Sequence, residues 1–160
     1  MINMDPTQLL KEIIRPVLQD LSMWSEPAER LLLGTACQES SCGQYVRQIG
    51  GPALGIFQME PATHDDIWDR FLAHHPDLSR KLNRWRAQYG NGMGPGEMVG
   101  NNFYAAAMCR IHYLRVADSI PDYLDGQAHY WKRFYNTVKG HGTVEQYKNN
   151  WSRFVGVGVI

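Results

Sequence analysis

The sequence lacks an excess of charge of either sign. Its 160 residues contain 16 lysines and arginines against 16 aspartates and glutamates, so the formal net charge is zero. Binding to the phosphate backbone of nucleic acid needs clustered lysine and arginine side chains. Because no basic stripe is present, we expect no nucleic acid partner.

Long hydrophobic runs are also missing. No stretch approaches the roughly 20 apolar residues that a transmembrane helix needs, so we expect no stable membrane insertion. Residues 1–20 have neither a basic start nor a continuous apolar core, and we therefore expect no signal peptide. The 160 residues, 44% of them hydrophobic, suit one domain with its own core, spanning residues 1–160.

Cysteine is scarce. Three cysteines, Cys37, Cys42 and Cys109, cannot all pair within one molecule. We interpret them as small buried thiols of a chain that folds in a reducing compartment. Positions five apart on a helix face different ways, which disfavours a disulfide between Cys37 and Cys42. No Cys/His cluster has the spacing of a zinc site, and we predict neither a metal nor a cofactor.

Apolar residues recur at helical spacing along most of the chain, which predicts a mainly helical fold. Asp5 and Pro6 begin the first helix, within an N-terminal segment, residues 1–24, that packs on the rest of the domain. Pro16 lies inside this helix, where we expect a kink or a break. We expect further helices to begin at Ser25 and at Thr63, and to span residues 77–89, 98–118, 121–137 and 144–154.

One charged residue interrupts an apolar helix face. Ala28, Leu32 and Ala36 share that face, and its next turn reaches Glu39, just before the helix-ending residues 40–43. The negative end of the helix dipole and apolar surroundings both disfavour ionisation, so the pKa of Glu39 should rise. A carboxyl that stays protonated near neutral pH is what a general acid needs. The alternative is a solvated glutamate without a function.

The residues around and after Glu39 resemble a known family. Glu39-Ser40 is followed by Gly55-Ile56-Phe57-Gln58, by Pro61-Ala62-Thr63 and, far downstream, by Tyr135-Asn136. This order is similar to that of the lysozyme-like lytic transglycosylases, and the form of the motifs looks like that of phage-encoded members. Phe57 stands where the family usually has methionine, and Phe134 stands where it usually has alanine.

The resemblance implies a fold and a reaction. The fold would be mainly α, in the α+β lysozyme-like class, as a single helical domain in which Tyr45–Ile49 is a candidate strand of a small β-hairpin beside the cleft. Glu39 would be the catalytic acid and then the base. It would cleave the β-1,4 bond between N-acetylmuramic acid and N-acetylglucosamine and leave 1,6-anhydro ends.

The resemblance also implies substrate-binding residues: Ser40, Gly55, Gln58, Tyr135 and Asn136. Gly55 would let the backbone approach a sugar, and Gln58 would offer a donor and an acceptor. The hydroxyl of Tyr135 would reach Glu39 and steady it, with Tyr130 as the competing candidate. No metal takes part in this reaction.

The implied partner is the glycan strand of peptidoglycan, with other virion proteins as further candidates. The protein would reside in a phage virion or in the host cytoplasm and act on the cell wall in the periplasm. Without a signal peptide, it would need a phage holin or delivery inside a virion to reach the wall.

Two alternatives remain open. A hydrolysing muramidase on the same fold would need a second carboxylate to position water, and Asp65, Asp66 and Glu60 are the candidates. A non-catalytic virion component or wall-binding module would keep the fold for docking. The glycine-rich loop, residues 90–97, is either a lid over the sugar chain or a plain connector.

Overall fold

The chain folds into helices, as the spacing of its apolar residues predicts. The computed structural model describes residues 2–86, 94–136 and 140–156. In chain order the helices are α1 (Pro6–Gln8, Leu9–Ile14 and Arg15–Asp20, without interruption), α2 (Glu26–Ser40), α3 (Pro61–Arg70), α4 (Pro76–Arg86), α5 (Glu97–Gly100), α6 (Asn102–Leu114), α7 (Leu124–Trp131, continuing as Lys132–Asn136) and α8 (Val144–Phe154). Within the described ranges, no helix combines the length and the apolar character needed to cross a membrane.

Helix α1 runs through Pro16 without a break. Its middle segment, Leu9–Ile14, is π-helical, and the amide of Arg15 donates to the carbonyl of Leu10. This wider turn accommodates the proline, which has no amide hydrogen and whose ring would crowd a regular α-turn. The apolar residues that recur at helical spacing along α1 face the core. Ile13 is partly buried, and the others are fully buried: Leu9, Leu10, Ile14, Val17, Leu18 and Leu21.

Helix α2 lies in the middle of the core. Ser25 caps its first turn by accepting a hydrogen bond from the amide of Ala28, as predicted from the sequence. Gly34 lets α8 pack closely, because a Cβ at that position would lie 2.0 Å from the hydroxyl oxygen of Tyr147. The helix ends at Ser41, whose φ of 52° is left-handed. The apolar side chains of α1, α2, α6 and α8 belong to one hydrophobic cluster.

The segment between α2 and α3 contains isolated β-bridges in place of the expected β-hairpin. Among the described residues, its β-structure is limited to two isolated antiparallel bridges, Arg47 with Leu54 and Leu54 with Met59. The amides and carbonyls of Leu54 and Met59 are hydrogen-bonded to each other over 2.9 and 3.0 Å. The residues between them form a tight turn that carries Gln58 towards the end of α2.

Several predicted helix boundaries are wrong. Helix α6 ends at Leu114 and not at residue 118, and α7 begins at Leu124 and not at residue 121. Helix α3 begins at Pro61, whose ring suits a first helical turn, and not at Thr63. The single helix expected over residues 98–118 is two helices, α5 and α6. Asn101 between them is extended and its side chain accepts a hydrogen bond from the amide of Tyr104. An asparagine that caps a new helix interrupts what the apolar pattern alone reads as continuous.

Some expectations lie outside the described residues. They concern the end of the helix predicted to reach residue 89, the part of the glycine-rich loop at 90–93, and the helix end predicted at residue 137. The remainder of that loop, residues 94–96, leads directly into α5.

Candidate active site

A cleft of about 550 Å³ lies beside the C-terminal end of α2. Its walls come from the last turn of α2, from parts of residues 48–60, from Thr63 of α3, from His112 of α6, from the π-helical end of α7 and from residues 140–142. The structure therefore brings together segments that are far apart in the sequence. Glu39, Gln58, Tyr135 and Asn136, four of the residues that the sequence singles out, all lie on this cleft.

Glu39 is partly exposed to the cleft at the end of α2. Burial raises the pKa of its carboxyl from 4.5 to about 7, although a hydrogen bond from Trp131 acts in the opposite direction. Within the described residues, Glu39 has no cationic partner. The carboxyl therefore titrates near neutral pH, where it can both give and take a proton.

Trp131 is the residue that contacts Glu39 directly. Its indole N–H donates to Oε2 of Glu39 over 2.9 Å, and its ring is fully buried against Tyr147. A fixed donor of this kind stabilises the ionised carboxylate and holds it in one orientation. Sequence reasoning missed this role because Trp131 is one of many aromatic residues on α7. The sequence feature that could have identified Trp131 is its position one helical turn before Tyr135.

Tyr135 lies on the cleft but does not donate to Glu39. Its hydroxyl donates to the carbonyl oxygen of Phe57 over 2.7 Å. Its ring stacks on Tyr113 at 5.2 Å and meets His112 edge-on at 5.0 Å. The expectation that its hydroxyl steadies Glu39 is therefore corrected: Tyr135 fixes the Phe57 backbone and forms a wall of the cleft.

Tyr130, the competing candidate, faces elsewhere. Its hydroxyl donates to the carbonyl oxygen of Asp118 over 2.9 Å. Tyr130 lines a second pocket and not the cleft, so it is not a neighbour of Glu39.

Gln58 occupies a strained position at the cleft. Its φ of 50° is in the left-handed region, which costs a non-glycine residue energy. The side-chain amide donates to the carbonyl oxygen of Gly55 over 2.8 Å, which closes the tight turn. The turn thus holds the Gln58 side chain at the cleft wall, the position predicted from the sequence motif.

Gly55 and Ser40, two of the expected substrate-binding residues, do not line the cleft. Gly55 is buried, and a Cβ there would lie 2.6 Å from the carbonyl oxygen of Met98, so glycine is needed for packing on α5. Ser40 is also fully buried. Its hydroxyl donates to the carbonyl of Ala36 and accepts from the amide of Gly43, which terminates α2.

Asn136 lies on the cleft and is held by a lysine. Lys132 donates to Oδ1 of Asn136 over 2.7 Å and to the carbonyl oxygen of Gly140 over 3.0 Å. The ammonium group thereby joins the end of α7 to residues 140–142, which form part of the cleft. The Asn136 amide nitrogen is a donor that can be directed at a ligand.

The three candidate second carboxylates differ in position. Glu60 is exposed and lines the cleft. Asp65 instead accepts from His64 over 2.9 Å, and Asp66 pairs with Arg115 over 2.9 Å. Of the three, Glu60 alone lies on the cleft.

His112 also lines the cleft, and sequence reasoning did not identify it. Burial and the nearby charge of Arg115 lower its pKa to about 4, so the imidazole is neutral at neutral pH. Its Nδ1 lies 3.5 Å from a guanidinium nitrogen of Arg115, and the ring also hydrogen-bonds the backbone of Phe134, so the neutral imidazole is held in the cleft wall without adding charge. The sequence feature that could have identified His112 is that it is a polar residue on a largely apolar helix.

The described part of the chain contains no group of three or more His, Cys, Asp or Glu side chains placed to hold a metal ion. All three cysteines are free and buried, as interpreted from the sequence. Comparison of the chain with protein-family models, with curated proteins and with solved structures finds no match. The resemblance to lytic transglycosylases therefore rests on the short motifs and their order.

Proposed function

We propose that this protein is a lytic transglycosylase with a lysozyme-like fold that cleaves peptidoglycan strands. The observation that carries the proposal is Glu39, a carboxyl with a pKa of about 7 on the wall of a cleft of about 550 Å³. A cleft of this size accommodates sugar residues. The order of the sequence motifs supplies the substrate class.

In the first step, protonated Glu39 donates its proton to the glycosidic oxygen between N-acetylmuramic acid and N-acetylglucosamine. The bond from C1 to that oxygen breaks, and the muramic ring acquires oxocarbenium character. N-acetylglucosamine leaves with the proton. A pKa near the working pH makes this transfer efficient.

In the second step, ionised Glu39 takes the proton from the C6 hydroxyl of the muramic residue. The C6 oxygen then bonds to C1 and forms a 1,6-anhydro ring, so no water is consumed. The carboxyl returns to its protonated state. One carboxyl performs both transfers, and Trp131, which donates to Oε2, stabilises the ionised form between them.

The other cleft residues would bind the glycan. Gln58 and Asn136 present amide groups at the cleft, and the rings of Tyr135 and His112 form part of its wall. Ser40 and Gly55 are buried and do not line the cleft, so this proposal gives them a supporting position next to Glu39 and Gln58 and no direct contact with the glycan. The biological setting that accompanies this proposal is a phage protein acting on the host wall.

A hydrolysing muramidase is the second candidate, and one observation favours it. Glu60 lies on the same cleft as Glu39, where it could position a water molecule for attack on C1. The product would then carry a reducing end in place of the anhydro ring.

The test is mass analysis of purified peptidoglycan digested by the protein and by Glu39→Gln. We expect products with 1,6-anhydromuramic ends, each one water lighter than a hydrolysis product. Loss of the acid should reduce their rate of formation by about 10²–10⁴-fold, with the protein still folded. Reducing ends that disappear in Glu60→Gln would replace the proposal with the muramidase. Equal digestion by Glu39→Gln would refute both.

A further inference from the structure

A second pocket, of about 270 Å³, lies near the N-terminal end of α2. Ser25 and Pro27 form one side, Arg110 and Leu114 of α6 form another, and residues 116–120 complete it. Tyr113 also lines this pocket and stacks on Tyr135, which lines the cleft. A layer of aromatic rings therefore separates the pocket from the cleft around Glu39.

Arg110 brings a partly buried cation to this pocket. Its Nε is buried and has no hydrogen-bond partner in the described part of the chain. Burial lowers the pKa of the guanidinium, and the groups that act against this are the Tyr130 hydroxyl and the Cys109 thiol, not a carboxylate. Arginine stays charged in proteins, so a bound anion would supply the hydrogen bond that the buried Nε–H lacks.

The rest of the pocket limits what that anion can be. Pro27, Leu114 and Ile120 give it apolar walls, and Ser119 adds a hydroxyl. The carboxylate of Asp118 also borders the pocket, although it lies 4.0 Å from Arg133. One cation with an acidic group nearby suits a singly charged anion better than a doubly charged phosphate, and the apolar walls suit a ligand with an alkyl group.

We propose that this pocket binds an alkyl carboxylate through Arg110, with the carboxylate on the guanidinium and the alkyl group against Pro27, Leu114 and Ile120. Arginine binds carboxylates through paired N–H groups, which would satisfy the buried Nε–H. Two sources share this chemistry, the C-terminal residue of a peptide and a free short-chain acid. The proposal is independent of glycan cleavage in the other cleft.

The direct probe is the NMR signal of the Arg110 Nε–H group during titration. The probes are N-acetyl-alanyl-valine, its C-terminal amide, butyrate and inorganic phosphate. We expect the free peptide acid to shift this signal and the amide to leave it unchanged. Butyrate binding as tightly as the peptide would identify a free acid as the source, whereas weaker butyrate binding would identify a peptide C-terminus.

Arg110→Met tests the role of the charge, because it keeps an unbranched apolar stem in place. We expect it to bind the best carboxylate at least roughly tenfold more weakly than the unmodified protein. Without ligand it should melt at the same temperature or higher, since a buried N–H group without a hydrogen-bond partner is removed. Arg133→Gln is the matched control, because it removes the same charge from the exposed neighbour of Asp118 and should change the affinity less than threefold, or about 0.6 kcal/mol.

Three results would overturn the proposal. The first is an Arg110 Nε–H signal that no carboxylate shifts. The second is Arg110→Met that binds carboxylates as well as the unmodified protein does. The third is phosphate binding more tightly than both butyrate and the peptide acid.

Discussion

The two ends of helix α2 each carry a largely buried carboxylate, and their surroundings differ. Glu29, in the first turn, is 3% exposed and accepts two hydrogen bonds of 2.9 Å from Arg15. Glu39, in the last turn, accepts one hydrogen bond from the neutral indole of Trp131. Glu29 lies at the positive end of the helix dipole, and Glu39 lies at its negative end.

This difference separates a structural carboxylate from a chemically useful one. Burial alone does not distinguish the two, because both side chains are largely shielded from bulk water. Glu29 has a cation at the positive end of the helix, and its charge is bound into the fold. Among the described residues, Glu39 has no cationic partner, and it lies at the negative end of the helix. Its pKa is therefore raised, and the carboxyl can donate a proton near neutral pH.

The largest change in stability should come from Glu29→Gln. It leaves Arg15 facing a neutral amide, which we expect to lower the free energy of unfolding by about 3 kcal/mol, the lower end for a broken buried pair, because Arg15 is 32% exposed. Urea unfolding measures it. Glycan cleavage below the melting temperature should be unchanged. Glu26→Gln, which breaks an exposed pair with Arg30, is the control and should change stability by less than about 1 kcal/mol.

Glu39→Gln should have the opposite sign, and its effect should depend on pH. The folded-state pKa of Glu39 lies above its ordinary value of 4.5, so the folded protein holds the proton more tightly than the unfolded chain. The free energy of unfolding therefore falls as the pH rises from about 4.5, and it becomes constant above about pH 7. The neutral glutamine avoids that loss. We expect no stability difference at pH 4 and a gain of about 2–3 kcal/mol at pH 8, read from unfolding curves. A variant less stable than the unmodified protein at pH 8 would contradict this.

Trp131→Phe should move the pH dependence of activity. Removing the N–H donor destabilises ionised Glu39, so its pKa rises further. Since a hydrogen bond to a charged group contributes about 1.5–3 kcal/mol, the alkaline limb of the pH–rate profile should move up by about one unit. Trp151→Phe, which removes an indole from α8, serves as the control. An alkaline limb that stays in place would show that Trp131 does not act on Glu39.

Tyr135→Phe should have the smallest effect. It removes one neutral hydrogen bond to the Phe57 carbonyl and should lower the free energy of unfolding by about 1 kcal/mol. Because the hydroxyl does not donate to Glu39, the alkaline limb of the pH–rate profile should stay in place. A shift as large as that of Trp131→Phe would restore the role that the sequence suggested for Tyr135.

Local patterns predicted much of this molecule. The apolar face of α1, the Ser25 cap and the position of Glu39 in the last turn of α2 all depend on residues close in sequence. The interruption at Asn101 was missed because its capping hydrogen bond competes with a continuous apolar stripe. The sequence of one helix does not show which residues from distant parts of the chain its side chains contact.

In the candidate site too, local motifs were predicted correctly and contacts between distant parts of the chain were not. Glu39 and Gln58 lie on the cleft as the motifs indicated, whereas the contact from Trp131 depends on how α7 crosses α2. Gly55 was expected to serve a sugar, and its real neighbour is the backbone at Met98. A glycine in a motif indicates a close approach but does not identify the partner.

The central claim, that α2 holds a proton-donating acid at its cleft end, is tested most directly by a carbon-13 NMR titration of the Glu39 carboxyl, assigned with Glu39→Gln. We expect this carboxyl to titrate with a pKa of about 7. Titration at its ordinary value of 4.5 would mean that Glu39 is an ionised, solvated side chain at neutral pH, and the account of the cleft would be wrong.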